Sequence, residues 1–303
     1  MADYGHQIEF GYFLSPDAAD PEGVLQTAGL ADELGYDLLG VQDHPYQRAH
    51  LDSLALLGVI LARTERIRVF QAVGNLPLRP PAVFAKAAAT LDLLSGGRFE
   101  AGLGAGGYLE AAHAMGAPAL TPGESLEALE EAVAILRASW SDTPSLRHDG
   151  RHYHLDGMKP GPSPAHPIGI WLGAAKPRAL TLTGRVADGW FAPLMNYQPP
   201  AAAAEAQAVI DRAAREAGRD PSEIRRIYNL VGTFAAAAPG PARDTDQAIV
   251  GPPGHWAEVL THFVLDIGFD TFTLAAPPDS DILRTFIEEV APQVRERVAA
   301  ARG

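Results

Sequence analysis

Cysteine is absent from the 303-residue sequence, which excludes disulfides, thiolate nucleophiles and Cys-ligated metals. Basic residues are scarce beside acidic ones: 24 Lys and Arg against 37 Asp and Glu give a formal net charge of −13. That balance argues against non-specific attraction to nucleic acid or to an anionic membrane, and leaves room for a local basic pocket holding an anionic small molecule. Long apolar runs are missing too. The longest, LALLGVILA (54–62), is under half of the roughly 20 residues a membrane-spanning helix needs. The opening MADYGHQIEF has neither a basic nor an apolar leader segment. A soluble, cytoplasmic protein with no nucleic-acid or membrane partner is the expectation. H-E-x-x-H and G-x-S-x-G are also absent, which removes two common hydrolase signatures.

What is present is a steady alternation. The chain is 47% hydrophobic and 20% charged, a globular composition. Apolar strand-like runs occur at IEFGYF (8–13), LLGVQ (38–42), IRVFQAV (67–73), RFEAGLG (98–104), IGIWLG (168–173), GWFA (189–192), IRRIYNLVGTFAA (224–236) and DTFTLAA (270–276). Each is followed by a helical stretch; that over 80–97 opens on prolines and closes on glycines. Eight such units predict a (β/α)8 TIM barrel as a single domain over 1–303. The rhythm breaks once. Residues 141–167, rich in Pro, Gly and His, read as a hairpin/loop insertion after the fourth βα unit, turning at Asp149-Gly150. It is expected on the loop side, where it would shape the pocket. His148, His152 and His154 invite a metal reading, but they fall on this hairpin and not on strand ends, so no metal is expected.

Gly102, Gly104 and Gly107 form a G-x-G-x-x-G. A dinucleotide fingerprint belongs on the first βα turn, with an acid about 20 residues on at the next strand end. Here the loop follows the fourth strand, and the downstream Glu124 and Glu127 fall in a helix. In a barrel the loop instead lies on the catalytic face, where closely spaced backbone N–H groups favour an anion. For Gly102 and Gly104, steric packing at a strand end is an equal alternative. His44, in QDHPY at the end of strand two, is the candidate general acid/base, because barrel chemistry sits at strand ends and an imidazole titrates near neutrality. Asp43 would orient its ring or cap the following turn.

The run AVGNLPLRPPAVFAKAAATLDLLSGGRFEAGLGAGG (72–107) resembles the bacterial luciferase-like family of flavin- and deazaflavin-dependent oxidoreductases, LDLLSGGRFEAGLGAG being its most specific part. LADELGYDLLGVQDH (30–44), HPIGIWLGAAKPRALTLTGRVADGW (166–190) and GPPGHWAEVLTHFVLDIGFDTFTLAAP (251–277) extend the likeness over nearly the whole chain. The resemblance implies an eight-stranded barrel with an insertion, and a homodimer. It implies that Gly104, Ala105, Gly106, Gly107 and Tyr108, with Gly173, Ala174, Ala175 and Lys176, hold the phosphate and ribityl tail of the cofactor. Arg178, Arg79 and Arg48 are candidate supporting cations. It places Gln71, Ala72 and Val73 in a strand-end bulge, with a non-prolyl cis peptide, beneath the cofactor ring. Asn75 would reach a ring carbonyl, and Phe13, Tyr46 and Trp190 would line the pocket above. The Asp43-His44 pair looks more like the branch using coenzyme F420, which moves hydride to or from an organic substrate. The alternative is an FMN-dependent monooxygenase fed reduced flavin by a partner reductase, and the partner expected beside the substrate is a flavin or F420 reductase. A non-catalytic flavin-binding barrel and a metal-dependent hydrolase are weaker readings.

Overall fold

The computed structural model describes residues 3–241 and 247–303. The chain runs β1 (Glu9–Leu14), α1 (Pro21–Leu34), β2 (Leu38–Val41), α2 (Ser53–Arg63), β3 (Arg68–Gln71), β4 (Gly74–Asn75), α3 (Pro81–Ser95) and β5 (Phe99–Gly104). Then come α4 (Leu109–Ala114), α5 (Pro122–Ser139), β6 (Leu146–Asp149), β7 (His154–Met158), β8 (Ile170–Gly173), α6 (Pro177–Val186), β9 (Gly189–Leu194) and α7 (Pro200–Glu216). The last part holds β10 (Arg225–Phe234), β11 (Ile249–Gly251), α8 (Pro253–His262), β12 (Thr271–Ala275), α9 (Ser280–Thr285) and α10 (Ala291–Arg302), with a single π turn after α8 and another after α9. Parallel pairing runs β12–β1–β2–β3–β5–β8–β9–β10 and closes from β10 back to β12. The (β/α)8 barrel expected from the rhythm is therefore the fold. Short β4 continues the line of β3 and pairs with the end of β5.

Local chemistry sets the boundaries. Asp20 caps α1 through Gly23 N–H, Pro21 occupies its first turn, and Gly35 ends it at φ +86°. Thr121 and Glu124 form a reciprocal capping box at the start of α5. Inside the barrel, Phe70 meets Trp171 and Phe191 edge-on, with ring centroids 5.0 and 5.3 Å away. Glycines make room for Phe70 on both neighbouring strands. A Cβ at Gly40 would stand 2.7 Å from its ring, and one at Gly102 would stand 1.9 Å from the carbonyl oxygen of Gln71 and 3.2 Å from the ring. Steric packing is thus what Gly102 is for. Outside the strands, a continuous apolar layer packs sheet against helices.

Two expectations about the insertion are corrected. The hairpin is β6 against β7, but Asp149 pairs with His154. The turn is therefore Gly150–Tyr153, not a two-residue turn at Asp149-Gly150. The Glu131 carboxylate of α5 accepts the N–H groups of Arg151, His152 and Tyr153 and so holds the turn from outside the hairpin. The segment also lies away from the barrel mouth. It leaves the C-terminal end of α5 and enters the N-terminal end of β8, its turn runs back along α5 to Glu124 and Glu127, and none of its residues lines the cavity at the strand ends. His166 pairs with Asp92 at 2.7 Å and with Glu100 at 3.5 Å. The insertion histidines meet single carboxylates, His148 with Glu131, His152 with Glu127 and His154 with Asp149. No group of three or more potential metal ligands occurs among the described residues.

Candidate active site

A cavity of about 660 Å³ opens at the C-terminal ends of the strands, and two glycine-rich stretches form one of its walls. Gly104, Ala105, Gly106, Gly107 and Tyr108 come from the end of β5, and Gly173, Ala174, Ala175 and Lys176 from the end of β8. Adjacency of β5 and β8 in the barrel brings these two stretches together. A Cβ at Gly104 or Gly173 would stand 2.7 or 2.8 Å from Val73, so the two glycines leave space for that side chain. Gly106 sits at φ +100°, a conformation that favours glycine. Nothing lies within 4 Å of a Cβ built on Gly107, so its backbone is open to a ligand. Lys176 precedes the first turn of α6, where helix dipole and ammonium both favour an anion. The cradle fits the phosphate-bearing tail of a flavin-type cofactor.

The floor is Ala72, Val73, Gly74 and Asn75, and the Ala72–Val73 peptide is cis, within the expected stretch. The side-chain oxygen of Asn75 is buried and has no hydrogen-bond partner, as a residue reserved for a ligand would be. Gln71 is corrected. Strand alternation turns Phe70 inward and Gln71 outward, where its amide donates to Ser53 Oγ at 2.6 Å. It supports the floor from behind and does not line the cavity.

Trp190 is corrected for the same reason. It is fully buried on the outer side of β9, stacked near Phe269, and its indole N–H donates to Ala174 O at 2.9 Å. It braces the cradle from outside, while Phe191, one residue on, faces the cavity. Phe13 and Tyr46 do line it. Counting inward and outward positions along GWFAPL would have found Phe191. Leu194, Tyr197 and Asn229 also line the cavity.

Asp43 is 2% exposed and does not touch the His44 ring through a hydrogen bond; it serves as a joint. One oxygen accepts from Ser53 Oγ at 2.8 Å and Arg79 Nη2 at 2.6 Å, the other from Asn75 N at 2.8 Å and Arg79 Nε at 2.7 Å. Burial opposes the charge on Arg79, but its bonds to Asp43 and then Asp52 outweigh this and raise its pKa above the ordinary value. Arg79 is therefore committed to Asp43 and is not a cofactor cation. Arg178 lies beside Gly123, and neither it nor Arg48 lines the cavity.

His44 Nδ1 lies 2.7 Å from the Tyr46 hydroxyl, and its ring centroid is 6.2 Å from that of Tyr108 and 6.1 Å from that of His50. Burial, then the neighbouring His50, lower the His44 pKa against the opposing pull of Asp43. The imidazole is therefore neutral near pH 7. Burial, then Tyr108 and Asp43, raise the Tyr46 pKa, against a smaller pull from Asn75, so the phenol keeps its proton. A neutral ring with Nδ1 held by a two-way hydroxyl can offer Nε2 as lone pair or as N–H. A second cavity, about 560 Å³, lies between the β1–α1 loop and Pro277-Pro278; its titratable lining is Tyr12, Asp17 and Asp20, the last of which caps α1. It holds no imidazole and no basic group.

A closed parallel barrel whose mouth sets a glycine-lined anion cradle beside a strand-end imidazole defines a cofactor-dependent barrel oxidoreductase. The chain belongs to the luciferase-like monooxygenase family, whose pattern matches residues 8–264. It is 27% identical to the F420-dependent glucose-6-phosphate dehydrogenase of Microbacterium testaceum, over 96% of this chain and 99% of that one. The protein of the same name from Nakamurella multipartita is 32% identical over 60% of this chain, and the match spans about half that relative's length, 55%. Among solved structures, an F420-dependent secondary alcohol dehydrogenase in complex with an F420-acetone adduct shares the fold at a TM-score of 0.82 and 18% identity, covering 95% of this chain and 99% of that one.

Asp43→Asn should cost about 3 kcal/mol of stability in urea unfolding, since it strands a mostly buried guanidinium. The double variant Asp43→Asn/Arg79→Gln should recover part of that loss. A single-variant cost below about 1 kcal/mol would mean that the pair behaves as an ordinary surface ion pair.

Proposed function

We propose that this protein transfers hydride between an organic substrate and coenzyme F420 held in the cavity at the barrel mouth. The observation that carries the reading is the position of His44. A neutral imidazole stands at the end of β2, within ring contact of Tyr108 on the glycine cradle and close above the Asn75 floor. The full-length likeness to a relative named as F420-dependent supports that cofactor over FMN. F420, when bound, supplies a carbon that accepts or gives hydride without activating oxygen.

The residues of the chain do the rest. Gly106, Gly107, Ala174, Ala175 and Lys176 bind the anionic tail. Val73 and Asn75 seat the ring system, and Phe13 and Phe191 exclude water above it. In the oxidising direction His44 Nε2 takes the proton of the substrate hydroxyl, while Nδ1–H rests on the Tyr46 oxygen. In the reducing direction Tyr46 donates to Nδ1, and Nε2–H protonates the nascent alkoxide. The reading also includes a homodimer. Val59 of α2 is 43% exposed, and Val83 and Leu94 of α3 are 67% and 83% exposed, an apolar face on adjacent helices. A flavin reductase partner belongs only to the FMN alternative. No helix among the described residues is long and apolar enough to cross a membrane.

Four measurements test this reading. Fluorescence titration of the purified protein should give micromolar or tighter binding of F420 and weaker binding of FMN; preference for FMN would instead make the protein a monooxygenase dependent on a reductase. NMR titration of the imidazoles should give His44 a midpoint below the ordinary value of about 6.5, and His44→Asn should lower turnover by about 100-fold or more. A His44 midpoint above that value would remove it as the base at neutral pH. Light scattering after gel filtration should give twice the chain mass, falling to a monomer in Val83→Glu/Leu94→Glu.

A further inference from the structure

The cavity's charge is not distributed as a sugar phosphate would require, although the relatives named above are glucose-6-phosphate dehydrogenases. Lys176 is the sole basic side chain lining it among the described residues, and it belongs to the cradle at the end of β8. The lining carboxylate, Asp43, is neutralised by Arg79 from behind. His44 is held neutral by its burial. A phosphate monoester carries about −1.5 to −2 charges at neutral pH. With Lys176 and the glycine loops engaged by the cofactor tail, such a group on the substrate would meet no counter-charge among the described residues that line the cavity, and an unpaired buried charge is strongly disfavoured.

The part of the wall that remains is apolar and aromatic. Phe13, Phe191, Pro193 and Leu194 line it, with Phe13 and Phe191 nearly parallel at an interplanar angle of 14°. Tyr108 and Tyr197 stand at the rim 62% and 78% exposed, large rings without cover from the described chain. The polar handles on this side are amide, phenol and imidazole groups. Asn229 is held in place: its amide donates to Ala192 O at 2.6 Å, and its oxygen accepts from Thr273 Oγ1 at 2.5 Å. The polar groups left to meet a substrate oxygen are the Gln42 amide, the Tyr46, Tyr108 and Tyr197 phenols and His44 Nε2, and the last of these is the one placed as base. The volume of about 660 Å³ must also hold the cofactor's ring system.

We infer that the substrate is a small uncharged alcohol or carbonyl compound with an apolar, ring-bearing body, and not a phosphorylated sugar. The inference rests on the F420 reading given above. In the oxidising direction the carbinol C–H bond breaks and its electron pair passes as hydride to F420, which is reduced. The hydroxyl proton passes to His44 Nε2, and the carbon–oxygen double bond forms on the oxidised substrate. The reverse balances in the same way from reduced F420 and a ketone.

The test uses full-length protein titrated first with F420, a step that judges the cofactor reading alone. If F420 fails to bind, that reading falls and this inference falls with it. On the F420-loaded protein, calorimetry then compares 1-phenylethanol and acetophenone with glucose 6-phosphate and inorganic phosphate, and the change in F420 absorbance follows turnover. The expected result is at least tenfold tighter binding of the neutral aryl compounds, with turnover of these and none of glucose 6-phosphate. Binding of glucose 6-phosphate as tight as theirs, or binding of neither neutral compound, with F420 still bound, overturns the substrate inference and leaves the cofactor reading standing.

Discussion

The bonds that converge on Asp43 hold the site together. The residue closes β2, and its two oxygens gather Ser53 at the start of α2, the backbone of Asn75 in β4 and the Arg79 guanidinium just before α3. Two successive βα connections are thereby fixed to one carboxylate. His44 is the next residue, so its backbone is as immobile as the joint itself, and Asn75 is held with its side-chain oxygen free at the floor. A buried ion pair is weak evidence of net stability. Its value here is positional: it sets the imidazole and the floor in one frame while withdrawing its own charges from the cavity.

Barrel packing supplies the second constraint. Phe70 fills the interior only because Gly40 and Gly102 stand on its neighbouring strands. The first glycine of the G-x-G-x-x-G is thus an interior packing residue, the second makes room for Val73, and only the later members of the loop present backbone to a ligand. One short motif serves two needs, with the division falling where β5 leaves the barrel.

The barrel was legible because each βα unit carries its own signals: apolar runs of strand length, Asp and Pro at helix starts, Gly at helix ends. The two cradle stretches and His44 were legible because chemistry collects at strand ends, and the family resemblance marked the same positions. What failed was orientation. Gln71 and Trp190 lie in the right segments but on the outer face, and alternation within two short strands decides that. The insertion was expected to shape the pocket because its position between α5 and β8 was not followed through; a segment that joins a helix end to a strand start runs outside the strand-end loops, and none of it lines the cavity. The role of Arg79 was hidden as well, since its partner lies 36 residues away and only the closed barrel brings them together.

These placements also explain how an acidic chain can serve an anionic cofactor. Net charge acts over the whole surface, but the cradle presents backbone N–H groups, the start of α6 and Lys176 within two adjacent strand ends. Among the described residues that line the mouth, cationic character is thus confined to one wall. The rest of the mouth is aromatic, with one imidazole kept neutral by burial. A neutral ring costs little to bury beside apolar groups, whereas an imidazolium there would have to lose its hydration. In the proposed reading, the same burial that makes His44 a base at neutral pH also keeps charge off the substrate side, so that proton transfer and selection of a neutral substrate follow from one environment.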